Sequence, residues 1–139
     1  MLKGLQPKSL FNILSYNSTF HSWQKQSALK LVEATASAVE SASAFVRELK
    51  TDPMTNIHDT LAAALQVPDV DTIYLLSDGV PTKGGSPAEI ERRAGALNYL
   101  RCARILTYGF TSDKPGDFDE AFMKRLAEQN RGWYLRVND

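Results

Sequence analysis

The segment Asp71–Gly85, DTIYLLSDGVPTKGG, constrains the fold more than any other part of the chain. Its apolar run Thr72–Leu76 is too short for a stable helix and reads as a strand, and a run apolar on successive residues is buried on both faces, as in a parallel sheet. The run passes directly into Ser77-Asp78-Gly79. A turn of this kind exposes a carboxylate at the carboxyl end of a buried strand, where open α/β sheets place their ligands.

The remainder of the chain repeats the alternation of strand and helix. Leu10–Ser15 and Phe20–Gln24 read as short strands joined at Asn17-Ser18-Thr19, a hairpin in which Phe20 and Trp23 pack. From Ser27 to Lys50, apolar residues recur at spacings of three and four (Leu29, Val32, Ala36, Val39, Ala42, Val46, Leu49), which predicts one long amphipathic helix. Pro53 breaks it. Asn56 is a good N-cap for a second helix running through Leu61 and Leu65 to Pro68. Ser86-Pro87-Ala88-Glu89 combines a capping serine, a proline at N1 and a glutamate at N3, so a helix spans Pro87–Leu100. Ala103–Phe110 reads as a strand, Thr111–Asp117 as a loop, Phe118–Asn130 as a helix with Gly132 at its C-cap, and Trp133–Val137 as a last strand. Strands alternating with helices indicate βαβ units and a largely parallel sheet covered on both sides. The expectation is one domain spanning residues 1–139.

Composition removes whole classes of function. Sixteen basic and sixteen acidic residues cancel, which leaves no electrostatic footprint for nucleic acid or an anionic membrane. No apolar run approaches the roughly 20 residues of a membrane span, and no signal peptide is visible in Met1–Gln6. Cys102 is the single cysteine; between Leu100 and Ile105 it reads as a buried thiol, and it fits a reducing, intracellular compartment.

The candidate site consists of oxygen donors. Thr55, in the loop that opens the second helix, and Asp78 suit a hard cation, although Thr55 could equally cap a backbone N–H and Asp78 make an Asx-turn. Other chemistries lack their parts. His21, His58 and Cys102 do not supply the four ligands of structural zinc. Ser77 lacks the G-x-S-x-G elbow and a following histidine, and GVPTKGG departs from the phosphate-loop pattern.

In FNILSYNSTFHSW (11–23), Thr55-Asn56-Ile57 through Leu61 and Ala64, IYLLSDGVPTKG (73–84), ARILTYGF (103–110) and FMKRLAEQNRGWYLRV (122–137), the chain resembles the von Willebrand factor type A domain family. The resemblance covers nearly the whole chain. It implies a Rossmann-like, mostly parallel open sheet with helices on both faces, and a protein-interaction module rather than an enzyme. It also implies a metal-ion-dependent adhesion site holding Mg²⁺ or Mn²⁺ on three loops, with an acidic side chain of the protein partner as last ligand. The family's threonine maps onto Thr55 and its final aspartate onto Asp78. Its Asp-x-Ser-x-Ser loop, after the first strand, has no counterpart here, and Pro53-Met54 stand where glycines are usual. Alternatives under the same resemblance are a regulatory subunit of an ATPase or chelatase-type assembly, or a doubly wound hydrolase using Asp78.

The family's strand order, 3-2-1-4-5-6, puts the absent first strand at the centre of the sheet. The expectation is therefore an N-terminally shortened domain with open edges on LFNILS and TIYLL. Each buried backbone group left unpaired there would cost about 1–3 kcal/mol. Either the two strands close on each other, another chain supplies the missing strand, or the polypeptide folds poorly.

Overall fold

The computed structural model describes residues 2–24, 29–50, 53–77, 80–110 and 118–137. A single 3-10 turn, Leu2–Gly4, precedes β1 (Leu10–Phe11), β2 (Leu14–Tyr16), β3 (Phe20–Ser22), β4 (Val32–Glu33), α1 (Ala36–Arg47) and α2 (Ile57–Gln66). Then follow β5 (Thr72–Ser77), α3 (Pro87–Asn98), β6 (Arg104–Phe110), α4 (Glu120–Gln129) and β7 (Tyr134–Val137).

The α/β class and the parallel sheet expected from the sequence are both present. Strands β5, β6 and β7 form a three-stranded parallel sheet in that order. Ile73 and Leu75 lie beside Ile105 and Thr107 in its register, and this face packs on α2, α3 and α4 through Ile57, Leu61, Leu65, Ile90, Phe122, Met123 and Leu126. Those helices share one face. On the other face Leu106 is buried while Tyr74, Leu76, Phe110 and Leu135 are exposed.

The hairpin is as expected, with Leu14 opposite Ser22 and Tyr16 opposite Phe20. LFNILS, by contrast, is not one strand. The Asn12 side chain accepts from the Ile13 N–H (2.7 Å) and donates to the Lys30 carbonyl (2.9 Å), a local turn of the kind asparagine favours. It separates β1 from β2. β1 pairs with β4, Phe11 opposite Val32, which corrects the long helix read over Ser27–Lys50. Helix α1 begins only at Ala36, where the Thr35 hydroxyl accepts from the Ala38 N–H at 3.1 Å. The apolar spacing of Leu29 and Val32 fits a helix, but Val32 is used to close a small second core in which Phe11 stacks on Trp23 with centroids 5.1 Å apart.

Two further corrections concern turns. Cys102 is exposed rather than buried. It takes φ 59° in the turn between α3 and β6, which points its side chain outward, and its N–H donates to the Asn98 carbonyl at 2.9 Å. At the end of α4 the C-cap is Asn130 and the left-handed residue is Arg131, φ 57°. Gly132 serves a different purpose, because a Cβ there would overlap the Ile105 carbonyl of β6. The loop read at Thr111–Asp117 lies outside the described residues.

Candidate functional site

The carboxyl end of β5, the entrance of α2 and the turn of the β2–β3 hairpin converge. Asn56 is the hub. It is buried, caps α2 by accepting from the Asp59 N–H (3.2 Å), and its amide donates to Asp59 Oδ2 (3.0 Å) and to the Ser18 carbonyl (3.3 Å). Its N–H donates to the Asn17 carbonyl (2.9 Å), so the hairpin turn and the helix entrance form one piece. Gly84, at φ 87°, lies against the same side chain, and a Cβ there would collide with Asn56 Oδ1.

Thr55 precedes this hub and is half-buried. Its N–H donates to Thr82 Oγ1 (2.7 Å), and its carbonyl accepts from the N–H groups of Thr82 (3.1 Å) and Lys83 (3.3 Å). With both backbone groups committed to the 80–86 segment, the hydroxyl is the group Thr55 can offer a cation. Helix capping falls to Asn56, so the alternative reading of Thr55 as the cap does not hold. Asp78, the second candidate, lies outside the described residues. A hard cation needs several oxygen ligands at fixed geometry, whereas the described part of the site supplies one neutral oxygen. Among the described residues no group of three or more His, Cys, Asp or Glu could hold a metal ion. The described donors match a hard cation in type but do not by themselves make its centre.

Electrostatically this end of the molecule is tied down by local pairs. His58 Nδ1 lies 2.8 Å from Asp59 Oδ1 and Nε2 lies 3.5 Å from Arg93 Nη1. The hydrogen bond from Asn56, then that from His58, hold the Asp59 carboxyl below its usual range. Across the loop, Ser86 caps α3 in the full capping box expected, its N–H donating to Glu89 Oε2 at 2.7 Å. That bond, followed by the one from the Ser86 hydroxyl, lowers the Glu89 carboxyl. Thr82, Tyr16 and the hub role of Asn56 were not visible in the sequence. Tyr16 reaches the Leu76 carbonyl with a 2.7 Å hydrogen bond across 60 positions, and Thr82 reaches Thr55 across 27.

The fold and the position of this site define a class, and comparison with known proteins gives it a name. Residues 1–135 match the family model for the von Willebrand factor type A domain, and the chain belongs to that family. Among its relatives is inter-alpha-trypsin inhibitor heavy chain H4 of Homo sapiens, 30% identical over 156 aligned residues covering 100% of this chain and 15% of that protein. Inter-alpha-trypsin inhibitor heavy chain H2 of Mesocricetus auratus is 26% identical over 149 residues, covering 99% of the chain and 15% of its own length. The chain thus spans about 15% of the length of these curated relatives. A solved von Willebrand factor type A structure from Catenulispora acidiphila superposes with a TM-score of 0.82, covering 99% of this chain and 32% of that one. At 17% identity that likeness concerns the fold. Domains of this family are typically protein-interaction modules. No helix among the described residues is long and apolar enough to cross a membrane.

Proposed function

We propose that residues 1–139 act as a single, partial, non-enzymatic interaction domain whose metal-ion-dependent adhesion site is incomplete within the chain. Thr55 and Asp78 are its remaining donors for Mg²⁺ or Mn²⁺, and a protein partner completes the coordination with an acidic side chain. The observation supporting this reading is the state of Thr55: its N–H and carbonyl are fixed by Thr82 and Lys83, which anchors its backbone at the helix entrance. Mg²⁺ demands near-octahedral oxygen ligation. One hydroxyl and one carboxylate hold such an ion weakly or not at all without further ligands.

Calorimetric titration of the 139-residue chain with Mg²⁺ and with Mn²⁺ tests the reading. The expected result is no saturation below about 1 mM, a free energy of about −4 kcal/mol or weaker. Saturation in the micromolar range, abolished by Asp78→Ala and by Thr55→Ala, would mean that the chain holds a complete site and that the reading is wrong. Hydrolysis of an ester or phosphate-ester panel that vanishes in Asp78→Ala would refute its non-enzymatic part.

A further inference from the structure

Thr55 stands one position before the N-cap of α2, so its N–H belongs neither to a helix nor to a strand. A half-buried N–H of this kind takes its acceptor from elsewhere in the fold. Thr82 provides it with a side chain, the Thr55 N–H donating to Thr82 Oγ1 at 2.7 Å. In return the Thr55 carbonyl accepts the N–H groups of Thr82 at 3.1 Å and of Lys83 at 3.3 Å. A single bond would let the two segments turn about each other. Bonds to both the N–H and the carbonyl of Thr55 fix their relative orientation.

Of these bonds, only the one to Oγ1 depends on which residue occupies position 82. The others start from backbone N–H groups, which every residue except proline carries. Valine keeps the branched shape of threonine but has no oxygen, whereas serine keeps the oxygen. Thr82 is exposed and belongs to neither hydrophobic cluster. Its hydroxyl is therefore a device of the loop and not a requirement of the core.

The residues after Thr82 are seated on the same helix entrance. At Gly84, φ 87°, a Cβ would collide with Asn56 Oδ1, and at Gly85 it would come within 3.3 Å of His58 Cδ2. From Ser86 the capping box of α3 takes over. Among these anchored positions Thr82 is the nearest in sequence to Asp78, which stands four positions earlier. Four residues span at most about 14 Å. A bond at Thr82 thus tethers the segment of the candidate carboxylate to the loop of the candidate hydroxyl.

We propose that Thr82 is a positioning residue of the candidate cation site: its hydroxyl oxygen holds the Thr55 loop and the segment after β5 in one arrangement before any ion arrives. This rests on the reading of Thr55 as a cation donor, and goes beyond it by assigning the arrangement to a protein hydrogen bond and not to the ion. The test uses the ¹⁵N-labelled 139-residue chain, first in EDTA and then with Mn²⁺, whose paramagnetism broadens nearby amide signals. In EDTA, Thr82→Val should speed amide exchange at Thr55 by about tenfold or more while Ile105 and Leu106 in the core change by less than about twofold. Thr82→Ser should bring the Thr55 rate back to within about threefold of the parent. With about 1 mM Mn²⁺, the parent and Thr82→Ser should show broadening centred on Thr55 and Asn56, reduced at least about threefold in Thr82→Val. A bond of purely structural value would not move this second readout. Unchanged Thr55 exchange in Thr82→Val, or no recovery in Thr82→Ser, would overturn the proposal. So would equal Mn²⁺ broadening in all three chains, including none in any, because Thr82 would then position nothing that meets the ion. Broadening that saturates at micromolar Mn²⁺ yet still falls in Thr82→Val would refute the incomplete site and uphold the role of Thr82, so the two failures are distinct.

Discussion

Replacing Asn98 with alanine removes the connection between the end of α3, the start of β6 and the end of α4. The Asn98 amide donates to the Ala103 carbonyl (2.8 Å) and to Asn130 Oδ1 (2.9 Å), and its Oδ1 accepts from the Ala103 N–H (2.8 Å). All of these residues are buried, Ala103 fully and Asn98 to within 2%. The variant leaves an N–H, a carbonyl and an amide oxygen without their partner, each worth about 1–3 kcal/mol if it stays unsatisfied. Two effects reduce the total. A polar groove lined by Gly95, Tyr99, Gln129 and Arg131 opens onto this cluster, so water can satisfy part of what is lost. Alanine is also the better helix former, by about 0.5 kcal/mol at most positions. The expected loss is about 2–4 kcal/mol, a large share of a total near 5–15 kcal/mol. Urea unfolding followed by circular dichroism measures it as a lowered midpoint at unchanged slope. A double-mutant cycle with Asn130→Ala should give a coupling of at least about 0.5 kcal/mol. A loss below about 1 kcal/mol, or strict additivity of the two substitutions, would show that these amides do not act as one network.

Gly132→Ala drives a methyl into the Ile105 carbonyl and should cost about 3 kcal/mol by parting β7 from β6, read as a fall in melting temperature. For Glu89, whose carboxyl is lowered by Ser86, a depressed folded pKa means stability present above the unfolded value of 4.5 and lost as pH falls through the folded value. Glu89→Gln should therefore melt below the parent above the unfolded value of 4.5, with the gap narrowing as pH falls below it; a constant gap between the two curves would exclude the linkage.

What the sequence made legible was local. The capping box at Ser86 and Glu89 and the cap at Asn56 are read over three residues, and both formed. The apolar runs that became β5 and β6 needed no partner to identify them as strands. Val32 was misread because its spacing satisfies a helix and a strand equally. The choice is made by Phe11, which lies opposite it in the β1–β4 pair and beside it in the small core. Flanking apolar residues do not bury Cys102, because Leu100 is itself 87% exposed. At the candidate site the residue type of Thr55 was legible, but the bonds that position it were not, because Thr82 and Tyr16 act over distances in sequence that no local pattern records.

The same distinction explains how the sheet tolerates an open margin. The sequence predicted a penalty for every unpaired backbone group at the β5 edge, on the premise that the edge is buried. The premise holds only in part: Tyr74 and Leu76 are among the exposed large side chains, and the Leu76 carbonyl accepts the Tyr16 hydroxyl, so part of that penalty does not arise. The unfavourable term moves to apolar surface. Tyr74, Leu76, Phe110 and Leu135 remain about half in contact with water, so covering each of them fully would return about half of the 1.5–3 kcal/mol that a large side chain gains between full exposure and full burial.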